Sequence, residues 1–198
     1  RLSSHEDIVE FSKHSSKPVI NALSDESHPC QILADLMTYQ EEKGSIQGKK
    51  IAWVGDGCNV CQTYMQAAEI FDFELSIATP AGYEPSGVFS QKYKKNINFF
   101  NSPMEACQEA DVVVTDVWTS MGQESEKKLR ESSFEGFQVD QLMMNQAKED
   151  AVFMHCLPAY RGIEVSSEVI DGRQSIVWSE AENRLHAQKS LLLYLIED

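Results

Sequence analysis

The chain has little positive charge. It carries 17 Lys and Arg residues against 31 Asp and Glu residues, a formal net charge of -14 in 198 residues. A surface of that sign repels a phosphate backbone, so we expect no nucleic-acid partner. The sequence also lacks any apolar run near the roughly eighteen residues that a membrane-spanning helix needs, so we expect no membrane association. A small anionic substrate remains compatible, because helix N-termini and local donors act at short range.

Cysteines are few and odd in number, five with uneven spacing. The N-terminus has neither an apolar signal core nor an Arg-rich transit composition. Both features favour reduced thiols and a cytoplasmic location over a disulfide-bonded, exported chain. The chain begins with Arg1 rather than Met, which suggests a fragment or a processed product.

From Gly48 onward, short β-rich runs alternate with helical stretches. The strand candidates are IAWVG (51–55), ELSIAT (74–79), INFF (97–100), VVVT (112–115) and VFMH (152–155). This alternation predicts an α/β fold with a Rossmann-like parallel sheet and helices on both faces. Ligands are expected at the carboxyl ends of the strands of such a sheet.

Other segments lie outside that repeat. HEDIVEFSKHS and PVINAL, within residues 1–23, read as a helix and a strand, and HPCQILADLMTYQEEK (28–43) reads as one helix ended by Gly44. The last segment, SEAENRLHAQKSLLLYLIED (179–198), predicts a second long helix that begins with a capping box between Ser179 and Glu182.

The HPCQ motif indicates a binding site at a helix N-terminus. Pro29 suits the first helical position, so His28 becomes the predicted N-cap and Gln31 lies on the same side of the first turn. An imidazole and a carboxamide at the positive end of a helix dipole suit a polarised carbonyl or an anion. The alternative is that His28 only caps the helix and Gln31 is solvated.

VGDGCNVC (54–61) differs from a dinucleotide-binding turn, because Val60 occupies the third glycine position and no acidic residue follows the second strand. A nicotinamide cofactor is therefore disfavoured. We expect instead a tight turn that exposes Asp56 and Asn59 to a substrate carboxylate or ammonium. Cys58 and Cys61 have no second cysteine pair, which favours a structural role over zinc or redox chemistry.

The motifs at the last two strands carry further candidates. Asp116 in DVWTSMG follows a strand, where its carboxylate suits an ammonium group, and Ser120 and Met121 follow it in the same motif. The alternative is that this segment is a solvated surface loop. His155 and Cys156 in HCLP point to opposite faces of a strand, so a Cys-His nucleophile would need His28 or His186 instead.

Two roles remain open for Cys156: contact with a substrate amine, or a small buried apolar group. Arg184 lies one turn into the last helix, where its planar fork of donors suits an oxygen of an anionic ligand. A surface ion pair is the alternative for Arg184.

HPCQILAD, GDGCNV, DVWTSMG, HCLPA and EAENRLHAQKSLL together resemble, in order and spacing, the ornithine carbamoyltransferase family. The resemblance covers essentially the whole chain but only the later two thirds or so of such an enzyme. The Ser-Thr-Arg-Thr phosphate signature of the family's earlier domain is not found. DVWTSMG and HCLP favour ornithine over aspartate, whose transferases typically have HPLP, and the Ser-Met-Gly loop differs in putrescine transferases.

The resemblance implies transfer of the carbamoyl group from carbamoyl phosphate to L-ornithine, with no metal or organic cofactor. Complete enzymes of the family are homotrimers or multiples of trimers. The implied carbamoyl phosphate contacts are His28, Gln31, Cys156, Leu157 and Arg184, and the implied ornithine contacts are Asn59, Asp116, Ser120 and Met121. The implied catalytic residues are His28, Asp116, Cys156 and Arg184. Cys58 replaces the first of two usual asparagines, which puts substrate affinity in doubt.

The resemblance also implies a division of the chain. Residues 1–27 would be a remnant of the carbamoyl-phosphate-binding domain, and 28–43 an interdomain helix. Residues 44–178 would form the ornithine-binding domain, and 179–198 a helix packing back towards the first domain. Two other hypotheses stay open: an inert binding or assembly module, and a cysteine-dependent hydrolase that uses Cys156.

Overall fold

The computed structural model describes residues 1–119 and 124–197. The strands are β1 Lys50–Val54, β2 Glu74–Ala78, β3 Ile97–Phe100, β4 Val112–Thr115 and β5 Val152–His155. The helices are α1 His5–His14, α2 Pro29–Lys43, α3 Asn59–Phe71, α4 Gly87–Lys92, α5 Pro103–Cys107, α6 Lys127–Ser133, α7 Gln141–Met144, α8 Ser167–Ile170 and α9 Val177–Glu197, and a 3-10 turn spans Glu124–Glu126.

The five strands form one parallel sheet in the order β3-β2-β1-β4-β5. Each predicted strand is confirmed to within a residue at its ends. The chain builds outward from β1 through β2 to β3, then crosses to β4 and β5 on the other side. The order therefore reverses between β1 and β4, and a crevice opens where their carboxyl ends diverge.

Helices cover both faces of the sheet, as the alternating pattern predicts. Trp53 and its neighbours on alternate positions face a core shared with α2 and α3. Val54 and Phe153 face the opposite core, which α5, α7 and α8 complete. Because both faces are buried, the strands carry near-continuous apolar runs.

The two long helices α2 and α9 pack against each other beside β5. Gly44, with φ +86°, ends α2, and Gly48, with φ +71°, turns the chain into β1. Positive φ at these positions is the conformation that glycine adopts without strain, so the predicted joint between α2 and the sheet is confirmed.

Two predictions of local structure are wrong. PVINAL forms no strand, because among the described residues it has no neighbouring strand with which to form a hydrogen-bonded ladder. The capping box is also absent: α9 begins at Val177, which is fully buried, so Ser179 lies inside the first turn and its hydroxyl donates to Glu42 Oε1 at 3.4 Å. Separately, none of the helices described is both long enough and apolar enough to cross a membrane.

Candidate active site

His28 lies at the N-terminus of α2, as predicted, but its side chain does not cap the helix. Its backbone N–H donates to Thr63 Oγ1 on α3 at 2.8 Å, which ties the two helix starts together. Burial, followed by the nearby positive charge of Arg184, lowers the pKa of the imidazole to about 4. His28 is therefore neutral near pH 7 and can take part in hydrogen bonds without adding charge.

Gln31 is 1% exposed, so the alternative in which it is solvated is wrong. Its Nε2 donates to Asp35 Oδ1 at 2.8 Å and to Glu180 Oε1 at 2.9 Å. Its Oε1 accepts a hydrogen bond from Arg184 Nη1. Every polar atom of the amide is thus used, which fixes its orientation.

These side chains form what we call the helix-end cluster, which comprises His28, Gln31, Asp35, Glu180 and Arg184. Tyr64 supports it from α3 by donating its hydroxyl to Asp35 Oδ2 at 2.7 Å. Arg184 is half-buried, and its Nε has no partner among the described residues. The guanidinium is therefore positioned by Gln31 while it keeps a donor for a ligand.

A second group, the strand-end cluster, comprises Cys58, Asn59, Asp116 and Cys156. Asp116 follows β4, and its Oδ1 accepts from the backbone N–H of Val117 at 2.7 Å and from Cys156 Sγ at 3.1 Å. Its Oδ2 faces Cys58 Sγ at 3.6 Å. Asp116 is 7% exposed, so a carboxylate flanked by two thiols lies in the crevice at the switch of strand order.

The thiol of Cys156 is a hydrogen-bond donor rather than a nucleophile. Burial, followed by the negative charge of Asp116, raises its pKa well above that of a free cysteine. A cysteine nucleophile requires the opposite, a pKa lowered by positive neighbours or an adjacent base. His186, one proposed partner, lies on α9 beside Glu182. This environment argues against a cysteine-dependent hydrolase.

The remaining predicted site residues either form local hydrogen bonds or lie outside the described residues. Asn59 begins α3, but its Nδ2 donates to the Ser24 carbonyl at 2.7 Å and its Oδ1 accepts from the Val60 N–H. Its amide is thus bonded to the backbone and not to Asp116. Leu157 has φ +50°, and its N–H donates to His155 Nδ1 at 2.9 Å. Ser120 and Met121 lie outside the described residues.

The glycine-rich turn after β1 differs from expectation, because Asp56 is buried and not exposed to a ligand. Its Oδ2 accepts from Arg130 Nη1 at 2.6 Å, and Arg130 also donates to the Trp118 carbonyl. The turn can pack this closely because Gly57 has no side chain: a Cβ there would lie 2.2 Å from the Pro85 nitrogen. Sequence analysis assigned no role to Arg130, which lies 74 residues from Asp56.

The donor atoms of Asp116, His155 and Cys156 lie within 4.8 Å of one another and include ligand types that hold metals. However, His155 Nδ1 already accepts from Leu157, and its Nε2 lies 3.3 Å from Glu164 Oε1 in a fully buried pair. The raised pKa of Cys156 also opposes a thiolate. The arrangement does not favour a metal, and the absence of a metal cofactor stays a prediction.

A separate groove of about 410 Å³ lies between α2 and α9. Its lining is Met37, Glu41, Glu42, Ser179, Glu182, Asn183 and His186. Three carboxylates make it a poor site for an anion, since like charges repel in a partly desolvated setting.

One contact joins the two clusters. Glu180 Oε2 accepts from the backbone N–H of His155 at 2.9 Å, one residue before Cys156. Sequence analysis missed Glu180 and Asp35, although a signal was present: each lies four positions from a predicted site residue, Arg184 or Gln31, on the same face of a helix.

Comparison with known families identifies the family of the chain. Residues 47–195 match the sequence model described as aspartate/ornithine carbamoyltransferase, Asp/Orn binding domain. Residues 1–41 match the carbamoyl-P binding domain of the same family. The chain belongs to the aspartate/ornithine carbamoyltransferase family.

Individual relatives in this family cover nearly all of the chain. It is 61% identical over 196 residues to ornithine carbamoyltransferase from Ruthia magnifica, which covers 99% of this chain and 66% of the relative. Solved ornithine carbamoyltransferases from Pyrococcus furiosus and Burkholderia thailandensis are each 47% identical, with TM-scores of 0.92 and 0.91, and match 97% and 98% of this chain but 64% and 63% of their own. The chain thus spans just under two thirds of these relatives.

Proposed function

We propose that this chain is the larger part of an ornithine carbamoyltransferase, which transfers the carbamoyl group of carbamoyl phosphate to the side-chain amine of L-ornithine. The observation that carries the proposal is that two complementary groups are linked through Glu180, which accepts from Gln31 and from the backbone N–H of His155, next to Cys156. A guanidinium held by an amide, Arg184 with Gln31, suits the carbamoyl oxygen. A carboxylate with a neutral thiol, Asp116 with Cys156, suits an amine.

The strand-end cluster would bind and orient ornithine. The Asp116 carboxylate pairs with the α-ammonium, and Asn59, Ser120 and Met121 complete the amino-acid contacts. The side-chain amine has an ordinary pKa near about 10.4, so it must lose a proton before its nitrogen can attack. Cys156 and the Leu157 carbonyl hold this amine in its reactive orientation.

The helix-end cluster would stabilise the charge that develops on the carbamoyl oxygen. The amine nitrogen forms a bond to the carbamoyl carbon, and the carbonyl electron pair moves onto oxygen. Arg184 and the neutral His28 hold that oxyanion, with Gln31 fixing the guanidinium. The carbonyl then re-forms as the carbon–oxygen bond to phosphate breaks, and the leaving phosphate takes the electron pair of that bond and the extra proton of the nitrogen. The products are citrulline and phosphate.

The test is citrulline formation from carbamoyl phosphate and L-ornithine, with this chain and an extended chain assayed side by side. The extended chain adds the part of the Ruthia magnifica relative that lies outside its match to this chain. We expect activity only in the extended chain. Citrulline from this chain alone would contradict the assignment of phosphate binding to the added part. Activity in neither, or activity with putrescine in place of ornithine, would overturn the proposal.

We further propose the domain division 1–27, 28–43, 44–178 and 179–198, with the ornithine-binding domain third. The family matches at 1–41 and 47–195 support a boundary near the Gly44 joint. A homotrimer or multiple of trimers is proposed for the extended chain, to be measured by light scattering. A cytoplasmic location is proposed because all five cysteines are free thiols, the state favoured in a reducing compartment.

A further inference from the structure

Glu180 is a buried acid that the mechanism above does not use, although it touches both clusters. It lies in the first turn of α9 and is 1% exposed. Its Oε1 accepts from Gln31 Nε2 at 2.9 Å, and its Oε2 accepts from the His155 N–H at 2.9 Å. One carboxyl group thus connects α2 and the end of β5.

Asp35 lies beside Glu180 and is 2% exposed. Both acids accept from the same nitrogen, Gln31 Nε2, at 2.8 and 2.9 Å, so the two carboxyl groups lie side by side. The hydroxyl of Tyr64 donates to the outer oxygen of Asp35. Among the described residues, neither acid forms a salt bridge, since Arg184 contacts the oxygen of Gln31 instead.

Two adjacent ionised carboxylates without a cation are strongly disfavoured in a buried site, because each charge is desolvated and repels the other. A single proton between them removes the repulsion and supplies the hydrogen bond that joins them. The pKa values of both acids are raised, that of Asp35 to about 6, with burial as the largest cause. With both pKa values raised, the pair as a whole keeps one proton near neutral pH.

We propose that Glu180 is a positioning residue that shares a proton with Asp35 and, through its bonds to Gln31 and to the His155 N–H, aligns the Gln31–Arg184 pair with the turn that carries Cys156. This inference rests on the proposed function, because it assigns Gln31 and Arg184 to one substrate and Cys156 to the other. Without the link, the carbamoyl carbon and the attacking amine would be held by parts of the chain whose relative position is less restricted.

The ionisable groups that face Glu180 come from each packed element: Asp35 from α2, Tyr64 from α3, Cys156 from the end of β5 and Arg184 from α9. Tyr64 and Cys156 both have pKa values raised well above normal and so stay neutral. Of these described groups, the Asp35–Glu180 pair is therefore the one whose charge is expected to change near neutral pH.

The first arm of the test measures kinetics of the extended chain with Glu180→Gln and Glu180→Ala. The amide can still accept one hydrogen bond and donate one to Asp35, so Glu180→Gln should keep kcat within about fivefold of the parent. Glu180→Ala should lower kcat on the order of 100-fold, the size expected when reacting groups are misplaced by about 1 Å. Glu182→Gln, an exposed change half a turn away, is the matched control and should have no effect.

If Glu180 has only a structural role, each variant should lose activity to the extent that it is unfolded. Circular dichroism measures the folded fraction of each variant. The proposal is therefore overturned if Glu180→Gln falls as far as Glu180→Ala, or if Glu180→Ala keeps the parent kcat. A folded Glu180→Ala with low kcat, together with an active Glu180→Gln, supports it.

The second arm does not depend on catalysis and separates this proposal from the proposed function. Infrared spectroscopy of the present chain at about pH 7.5 should show the carbonyl band of a protonated carboxylic acid. Glu180→Gln should remove that band, because the variant has no second carboxyl group beside Asp35 with which a proton could be shared. A parent spectrum without the band would overturn the shared proton even if citrulline is formed. If the band is present but no citrulline is formed, the proposed substrates are wrong and the shared proton is still supported.

Discussion

The hydrogen bonds of the two clusters differ in kind. In the helix-end cluster, amide and phenol donors reach carboxyl oxygens at 2.7 to 2.9 Å, and all but Arg184 are largely buried. In the strand-end cluster, two thiols face one carboxylate at 3.1 and 3.6 Å. Thiols are weak donors, so an incoming ammonium group can replace them at small cost. The first cluster is built to hold its geometry, and the second to exchange its partners.

This difference suits the proposed chemistry. An oxyanion is stabilised most when its donors are fixed before the charge appears, because no reorganisation is then needed. A substrate that must enter and leave is better met by groups whose existing bonds are weak. The predictions below test whether the helix-end cluster is rigid and charged and the strand-end cluster adaptable.

The largest effect is expected at Arg184, the charged member of the helix-end cluster. Arg184→Ala in the extended chain should lower kcat/KM for carbamoyl phosphate by about 1000-fold, the upper range for losing one oxyanion donor. Arg184→Lys keeps the charge but loses the planar fork, so it should recover only part of the activity. Steady-state kinetics measures both. Arg173→Ala, at an exposed position, is the control, and equal losses in the two alanine variants would remove the special role of Arg184.

The strand-end cluster depends for its position on the buried ion pair between Asp56 and Arg130. Asp56→Ala removes the buried partner of Arg130 and leaves the guanidinium paired only with the more exposed Glu126, so the free energy of unfolding should fall by about 3 kcal/mol, the lower end for breaking a buried pair. Urea denaturation of this chain measures the loss. The exposed pair of Arg161 and Asp171 gives the control, because Asp171→Ala should change stability little. Similar midpoints for both variants would show that the buried pair does not stabilise the turn.

The third prediction concerns how the stability contributed by the helix-end cluster depends on pH. The pKa of His28 is about 4 in the folded chain, below its ordinary 6.5, so the unfolded state binds the proton more tightly. Stability from His28 is therefore complete above about pH 6.5 and is lost as the pH falls through about 4, a change of about 3 kcal/mol. Asp35 acts in the opposite sense, because its pKa is raised from 3.8 to about 6 and its stabilisation is lost as pH rises.

Comparison of the parent with His28→Gln isolates the first of these two opposing effects. Urea denaturation between about pH 7 and pH 4 should show that the variant gains on the parent as the pH falls. Parallel curves for the two chains would mean that His28 titrates normally and is not desolvated by the cluster.

Cys156 should have a smaller catalytic effect than Arg184, because it orients the amine and carries no charge. Cys156→Ala in the extended chain should lower kcat about 100-fold, the lower range for a group that assists proton transfer or orientation, with the fold intact by circular dichroism. Cys156→Ser keeps a donor to Asp116 and should lose less. An unchanged kcat in Cys156→Ala would make this thiol a packing group.

The parts of the fold and site that the sequence predicts are those fixed by local pattern. The strands follow from short apolar β-rich runs, and the end of α2 from Gly44, which takes the positive φ that ends the helix. The motifs identify Gln31 and Arg184 as candidate site residues. Their contact could not be predicted, because it joins positions 153 residues apart and depends on the packing of α9 on α2. Burial is equally non-local: Asp56 was expected to be exposed because its partner Arg130 could not be identified from spacing.

The smallest effect is expected at Cys58, the weaker thiol partner of Asp116 in the strand-end cluster. Its thiol lies 3.6 Å from Asp116 Oδ2, and burial raises its pKa well above normal, so it is at most a weak neutral donor. Cys58→Asn supplies an amide donor worth about 1 kcal/mol more, which should orient Asp116 better and lower KM for ornithine about fivefold with kcat unchanged. Cys58→Ala should match the parent within about twofold, since only a weak bond is lost. If Cys58→Ala instead raised KM as strongly as Cys58→Asn lowered it, the thiol would hold Asp116 firmly, and the strand-end cluster would be as fixed as the helix-end cluster.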